Sequence, residues 1–270
     1  MPSPLRPLLP LWLLLFVSCG VSLPSAAQRP ARPVTFFEDP AGKTYLLLSD
    51  SRLITRNQLG GTVNTFYDSS LGAPDHVDVT NPFSIILYYQ DYGRLVLLDR
   101  TLSEITRIDL FNVEGLQQPG ALARANDNQI WVYDDWDYRL KLLDEQGRVA
   151  RQTNNLRLDL KVTQDPAAIY VDRGTVALYF PELNRLAVLT NYGRFEFWVD
   201  LPPTEQVSYQ TPYLTGYDET DSWRYVMGAK KTERWARPQV QGAGEQTRRP
   251  GKTTYRYLNA AGEIITTTVE

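Results

Sequence analysis

The fold is decided by residues 119–147, which read PGALARANDNQIWVYDDWDYRLKLLDEQG. Three short apolar segments, Ala121–Ala123, Ile130–Tyr133 and Leu140–Leu143, are separated by polar turns, and the last turn ends with a glycine. Apolar runs of this length between turn residues predict β-strands joined by tight hairpins. A further strand is expected to begin at Arg148, so this stretch predicts four antiparallel strands.

The same pattern returns along most of the chain. Each unit opens with a proline, and successive prolines lie 41, 45, 47 and 46 residues apart, at Pro33, Pro74, Pro119, Pro166 and Pro212. Self-similarity at this period, with short apolar runs inside each unit, is typical of radially repeated four-stranded sheets. The sequence therefore predicts an all-β fold, a five-bladed β-propeller of four-stranded antiparallel blades.

Glycines mark the last hairpin of most units, because a short hairpin needs a residue with positive φ and glycine adopts it without a Cβ penalty. These glycines are Gly61, Gly147, Gly193 and Gly262. The second unit has Leu102-Ser103 at this place instead. We therefore expect its hairpin to be longer or bulged.

Two short segments carry a resemblance to a known family. Asn184-Arg185-Leu186 and Tyr133-Asp134 are similar to the blade motif of the NHL and YncE-like group of β-propellers. The resemblance covers about residues 33–270. It implies a fold with a binding surface rather than a particular activity, and no functional residue of the family is carried over.

The fifth unit is longer than the others. Its proline and its turn glycine, Pro212 and Gly262, lie 50 residues apart, against 27 or 28 in complete units. We interpret residues 229–252 as a mobile basic insertion between its second and third strands, acting either as a solvated excursion or as an electrostatic lid. The alternative is that this region holds two weakly patterned units, which would give six blades.

The N-terminus predicts export. Arg6, an apolar stretch at Leu8–Val17 and the small residues Ser25-Ala26-Ala27 are typical of a signal peptide over residues 1–27, which leaves residues 28–270 as the propeller domain. The segment around Cys19 resembles a lipoprotein signal, in which Cys19 would be lipidated. Both interpretations predict the periplasm or the outer cell envelope, with membrane attachment through Cys19 in the second.

Composition argues against several functional classes. The net charge is −3, without a long basic run, so nucleic acid is a poor candidate for the partner. Cys19 is the only cysteine and His76 the only histidine, so we expect no zinc site of the usual kind and no cofactor. His76 is expected on or beside an innermost strand, as a hydrogen-bonded structural residue. No G-x-S-x-G motif and no P-loop is present.

Propeller geometry predicts where a binding site would form. The turns between the second and third strands of every blade emerge on one face, together with the links between blades. The acidic and aromatic residues that we expect to bind a ligand or partner there are Asp91, Tyr92, Asp135, Trp136, Tyr138 and Glu182.

These residues predict a non-catalytic, exported propeller that binds a cell-envelope protein or carbohydrate through one loop face. Two other classes stay open. A carboxylate-based glycoside hydrolase or lyase would use a pair drawn from Asp78, Asp91, Asp135 and Glu182. A purely structural scaffold would show no concentrated pocket or patch.

Overall fold

The computed structural model describes residues 31–269, apart from 58, 126, 127, 205, 219, 237–242, 250, 251 and 260. The predicted export signal, including Cys19, lies outside the described residues. Among the described helices, none has the length and apolarity needed to span a membrane.

Five four-stranded antiparallel blades follow one another along the chain, and the predicted fold class is confirmed. The first blade consists of β1 (Pro33–Glu38), β2 (Thr44–Leu48), β3 (Leu53–Arg56) and β4 (Thr62–Phe66). The second consists of β5 (His76–Asp78), β6 (Ile85–Tyr89), β7 (Arg94–Leu98) and β8 (Glu104–Asp109). The third consists of β9 (Pro119–Arg124), β10 (Ile130–Asp134), β11 (Arg139–Leu143) and β12 (Val149–Gln152).

The fourth blade consists of β13 (Ala168–Asp172), β14 (Thr175–Phe180), β15 (Arg185–Thr190) and β16 (Phe195–Asp200). The fifth consists of β17 (Gln206–Gln210), β18 (Tyr213–Tyr217), β19 (Asp221–Val226) and β20 (Thr232–Ala236). A C-terminal sheet of three strands follows, with β21 (Ala243–Arg249), β22 (Lys252–Leu258) and β23 (Ile264–Val269).

Helical segments are short and lie between strands. The α-helix α1 spans Leu156–Leu160, and three single 3₁₀ turns span Gln90–Tyr92, Leu110–Asn112 and Pro181–Leu183. Each of these four segments lies in a turn or a link rather than within a blade.

The hydrophobic core lies between neighbouring blades. Trp131 and Leu142 of the third blade pack in one cluster with Val176 and Leu178 of the fourth, and these four side chains are almost fully buried. Similar clusters join the first blade to the second, the second to the third, and the fourth to the fifth. Because the middle strands are covered on both faces, they read as continuous apolar runs in the sequence.

The C-terminal sheet lies between the fifth blade and the first. β21 contacts β17 and β18, whereas β22 contacts β1. Leu258 and Ile264 pack against Phe36 of the first blade, and the guanidinium of Arg256 forms an ion pair with Glu38. The ring therefore contains a three-stranded sixth sheet beside the five four-stranded blades.

The strand order of the fifth unit differs from the predicted single unit with an insertion. Residues 229–252 contain β20, all of β21 and the first residue of β22, so the described part of this range is mainly strand. Pro212 precedes the second strand of its blade, Tyr213–Tyr217, whereas a proline that opens the unit would precede the first. The reason is physical: β20 is the outermost strand of its blade and faces solvent, so its charged residues hide the apolar alternation.

The last hairpin of the second blade was predicted to be longer or bulged, but it does not differ from the last hairpins of the other blades in this way. Its hairpin has the same hydrogen bonds as the other blades, with the Leu102 N–H donating to the Asp99 carbonyl at 2.9 Å, and Leu102 itself adopts φ 61°. A register irregularity near the last hairpin is present, but three other blades share it. In the first blade, Gly60 rather than Gly61 has positive φ.

Candidate functional site

The turns between second and third strands lie at the same end of the blades as the links to the next blade. Backbone hydrogen bonds join the two in three successive blades: Leu110 N–H to Gly93, Leu156 N–H to Tyr138, and Leu201 N–H to Asn184, at 2.7–2.8 Å. We call this end the loop face, defined by the turns 49–52, 90–93, 135–138 and 181–184 and the links 67–75, 110–118, 153–167 and 201–204.

The six candidate binding residues all belong to these turns. Asp91 and Tyr92 lie in the 3₁₀ turn of the second blade, and Glu182 lies in that of the fourth. Asp135, Trp136 and Tyr138 share the turn between β10 and β11. The structure thus brings three of the six together on one turn and places the other three on the neighbouring blades.

Asp134 anchors the turn of the third blade. Its carboxylate is fully buried and pairs with the buried Lys141 ammonium, with Oδ2 to Nζ at 2.5 Å. It also accepts backbone N–H bonds from Gln117 at 2.9 Å, Gln118 at 2.8 Å and Trp136 at 3.1 Å. Burial acts to raise the pKa of Asp134, but these hydrogen bonds outweigh it and hold the pKa below its usual value. One buried ion pair therefore fixes the turn and the preceding link together.

Asp135 is placed differently from its neighbour. A methyl group on Gly120 would lie 2.4 Å from Asp135 Oδ1, so the half-buried carboxylate rests on the backbone of the innermost strand β9. Burial, together with the negative charges of Asp165 and Asp134, raises the pKa of Asp135 to about 6. Within the described part of the chain, its carboxylate oxygens have no hydrogen-bond donor or cation as partner.

A cation and a second carboxylate stand beside this turn. Arg157 of α1 lies over the Tyr138 ring, 3.7 Å from its centre, and its Nη2 pairs with Asp165 Oδ2 at 2.7 Å. The Tyr133 hydroxyl donates to Asp165 Oδ1 at 3.0 Å. Arg157 is therefore paired directly with Asp165, and its charge acts on the unpaired Asp135 carboxylate only through space.

Exposed apolar side chains continue the loop face on both sides of Asp135. Trp136 is 62% exposed and Tyr92 is 50% exposed. The links add three residues that sequence reasoning missed: Leu158 in α1, 75% exposed, Tyr67, 53% exposed, and Phe111, 51% exposed, whose ring packs against Gly93. These five side chains lie on turns and links of the first three blades, which makes this part of the loop face a candidate interaction site.

The sequence offered little signal for the link residues. Arg157, Leu158 and Asp165 lie in the link of the third blade, which the repeat left unassigned. The length of that link and its Asn155 cap, whose side chain accepts from the Leu158 N–H at 3.1 Å, could have indicated the short helix. Gly120 carries a clearer signal, because a glycine in a strand often marks a close approach of another group.

The central channel contains a cavity of about 320 Å³. The innermost strands β1, β5, β9, β13 and β17 line it, and His76 is among the lining residues, as expected from its position. The expectation that His76 is a hydrogen-bonded structural residue is not met at Nε2, which is buried and has no partner in the described chain. Burial lowers the pKa of His76, which keeps the ring neutral, although Asp78 opposes the shift.

The carboxylates considered for glycoside cleavage do not gather at one place. Asp78 ends the innermost strand β5, at the end of the channel opposite the loop face, whereas Asp91, Asp135 and Glu182 lie in loop-face turns of three different blades. Among the described residues, no group of three or more His, Cys, Asp or Glu side chains is placed so that it could hold a metal ion.

No family model and no curated protein matches this chain. Among solved structures, a streptogramin B lyase is similar over 90% of this chain and 85% of its own, with 13% identity and a TM-score of 0.60. A catalytically inactive virginiamycin B lyase from Staphylococcus aureus, solved with quinupristin, is similar over 89% and 85%, with 10% identity and a TM-score of 0.59.

A third similar structure belongs to a protein complex. BBS1N in complex with ARL6DN is similar over 87% of this chain and 76% of its own, with 13% identity and a TM-score of 0.54. These neighbours therefore include both a lyase and a protein-binding domain. At such identities the likeness concerns the fold alone. Together with the strand order, it establishes that this chain is a β-propeller.

Proposed function

We propose that the protein is a non-catalytic, exported β-propeller that binds a cell-envelope protein through its loop face. The observation that carries this proposal is the Asp135 carboxylate, which has no direct ion-pair or hydrogen-bond partner in the described chain and lies beside the exposed Trp136 indole. A carboxylate of this kind suits a lysine or arginine side chain, and the aromatic surface beside it suits the apolar neighbours of that cation. Asp91, Tyr92, Tyr138 and Glu182 would extend the same surface.

Export and membership of the NHL and YncE-like group belong to this proposal. Their support comes from the sequence: the apolar stretch at Leu8–Val17, followed by small residues, and the blade motif at Asn184-Arg185-Leu186. Lipidation of Cys19 would attach the protein to a membrane. The test is the mass of the mature protein, which gives the cleavage position and any acyl group directly.

The partner surface can be tested by site-specific photocrosslinking. A benzoylphenylalanine residue at position 136 should crosslink a defined envelope protein when expressed in the native cell. The matched control is position 83, because Phe83 is also an exposed aromatic residue, 69% exposed, but precedes β6 at the opposite end of the blades. Crosslinks from position 83 alone, or equal crosslinks from both positions, would contradict the proposed face.

A partner cation at Asp135 would also make binding depend on pH. Because the pKa of Asp135 is raised to about 6, the carboxylate loses its charge as the pH falls through this value. We expect the affinity for the crosslinked partner to fall between pH 7.5 and pH 5, and Asp135→Asn to be weak at both pH values. If Asp135→Asn binds the partner at pH 7.5 as tightly as the wild type does, Asp135 does not contribute to the binding site.

The raised pKa of Asp135 also favours one alternative, a carboxylate-based glycoside hydrolase or lyase that binds an envelope carbohydrate. A carboxyl group with a pKa near 6 can act as a general acid, and Asp165 stands near enough to influence its ionisation. Incubation with envelope polysaccharides should then release new reducing or unsaturated ends. Asp135→Asn should abolish that release, whereas a pure binding protein releases none.

A further inference from the structure

The second candidate site is the channel cavity, which is separate from the loop face. Its polar lining residues include Glu38, Asp78 and Arg124, which stand at the carboxyl ends of the innermost strands β1, β5 and β9. Since these strands begin at the loop face, the polar part of the cavity lies toward the opposite end. The volume of about 320 Å³ is large enough for a small organic molecule.

Arg124 is the unusual residue of this cavity. Arg124 is among the lining residues, and only 8% of it is exposed. Nη2 donates to the carbonyl of Ser84 and to its hydroxyl. Nε and Nη1 are buried and have no hydrogen-bond partner in the described chain. A guanidinium stays charged in proteins, so these donors are left unsatisfied at a cost in folding free energy.

The acidic residues of the cavity are already engaged elsewhere. Asp78 Oδ1 accepts from the Thr80 N–H at 2.8 Å and the Thr80 hydroxyl at 2.5 Å, and Oδ2 accepts from the backbone N–H of Arg124 at 3.2 Å. Glu38 forms its ion pair with Arg256. The Asp78 charge acts on the Arg124 guanidinium only through space, and burial outweighs it, so the pKa of Arg124 is lowered.

The rest of the lining is aromatic and apolar. The rings of Tyr170 and Tyr209 lie 5.1 Å apart, centre to centre, and Phe37 and Ala123 add further apolar surface. The Tyr209 hydroxyl donates to the Val171 carbonyl at 2.6 Å, so the ring rather than the hydroxyl is what this residue offers. The neutral His76 adds a polar atom without a partner.

We propose that the channel cavity is a binding site for a small organic carboxylate with an aromatic or apolar body, and that the Arg124 guanidinium receives the carboxylate. Arginine is the residue that best matches the geometry of a carboxylate. The tyrosine rings pack against the body of the ligand, and the apolar walls disfavour a strongly hydrated anion such as inorganic phosphate.

The test uses 4-bromobenzoate and 3-(4-bromophenyl)propionate as probes, with 4-bromobenzamide as the neutral match and inorganic phosphate as the second anion. Calorimetry should show that a carboxylate probe binds at least about tenfold more tightly than the amide, because it replaces a neutral hydrogen bond by a charge-assisted one. Anomalous diffraction from a soaked crystal should place the bromine in the cavity.

Two variants identify the residues responsible. Arg124→Met should abolish carboxylate binding, whereas Arg52→Met, which removes an exposed arginine paired with Asp50, should leave it unchanged. Should Arg124→Met fail to fold, Ser208→Phe gives a second test, because it fills the cavity while keeping Arg124. The proposal is overturned if neither carboxylate binds, if the amide or phosphate binds as well as the carboxylate, or if the bromine lies outside the cavity.

Discussion

Buried charges are compensated differently at the two ends of the blades. At the loop face, the buried Asp134 carboxylate meets Lys141 and three backbone N–H groups, so its charge is fully compensated. At the other end, Arg124 is almost as deeply buried but leaves Nε and Nη1 without partners. A satisfied buried charge holds a structure together, whereas an unsatisfied one has a cost that a ligand can relieve. We therefore interpret Asp134 and Lys141 as a structural pair and Arg124 as part of a candidate binding site.

The largest expected effect is on the loop-face pair. Lys141→Met leaves Asp134 buried without its cation, and it should lower the free energy of unfolding by about 3–5 kcal/mol. Urea denaturation measures this. The control is Arg52→Met at an exposed ion pair, which should cost less than about 1 kcal/mol. Equal losses in the two variants would show that burial does not distinguish these pairs.

The next effect concerns affinity. Trp136→Ala removes the most exposed aromatic side chain among the six candidate residues, and it should weaken binding of the crosslinked partner by about 1–2 kcal/mol. The far-ultraviolet circular dichroism and the midpoint of unfolding should not change. Phe83→Ala at the opposite end serves as the matched variant, and a similar loss of affinity there would point away from the loop face.

A pH-dependent effect on stability should be of similar size or slightly smaller. The pKa of Asp135 rises from the usual 3.8 to about 6 on folding, so the folded state is penalised above pH 6 and the penalty vanishes as the pH falls to 3.8. Asp135→Asn should therefore be more stable than wild type at pH 7.5, by about 1 kcal/mol after allowance for solvent screening, and nearly equal to it at pH 4.

The matched control for this pH effect is Glu182→Gln, which changes an exposed acid on the same face. Its stability should follow that of the wild type at both pH values. Urea denaturation at pH 7.5 and at pH 4 measures the free energy of unfolding of both variants. A stability difference for Asp135→Asn that does not depend on pH would contradict the assigned cause.

The smallest expected effect tests the other end of the channel. Arg124→Met removes two unsatisfied donors but also loses the bonds to Ser84, so the free energy of unfolding should change by no more than about 1 kcal/mol in either direction. A loss as large as that of Lys141→Met would mean that Arg124 is a structural residue whose charge is well compensated.

The blade pattern could be predicted because it depends on local chemistry. Apolar runs such as Ile130–Tyr133, prolines at a constant spacing and left-handed turn glycines each require only neighbouring residues. The loop-face turns followed from propeller geometry, so Asp135 and Trp136 were placed correctly on them. Whether these residues bind a partner stays a prediction.

The remaining features depend on contacts between distant parts of the chain. The Arg157–Asp165 pair lies in a link that the repeat does not describe, and the unpaired state of Arg124 appears only when five strands meet around the channel. β20 was missed because an outermost strand needs few apolar residues. The repeat period therefore predicts the middle strands of the blades well. It predicts poorly the outermost strand β20, the links and the side-chain contacts around the channel.

Each of the six sheets is built from strands that are consecutive in the sequence, and this includes the first blade and the C-terminal sheet. No strand of one chain end completes the sheet of the other among the described residues, so Arg256, Leu258 and Ile264 act against the first blade only through side chains. This junction closes the ring without backbone hydrogen bonds between strands. We therefore expect mechanical pulling on the two termini to separate it before any blade loses its hydrogen bonds between strands.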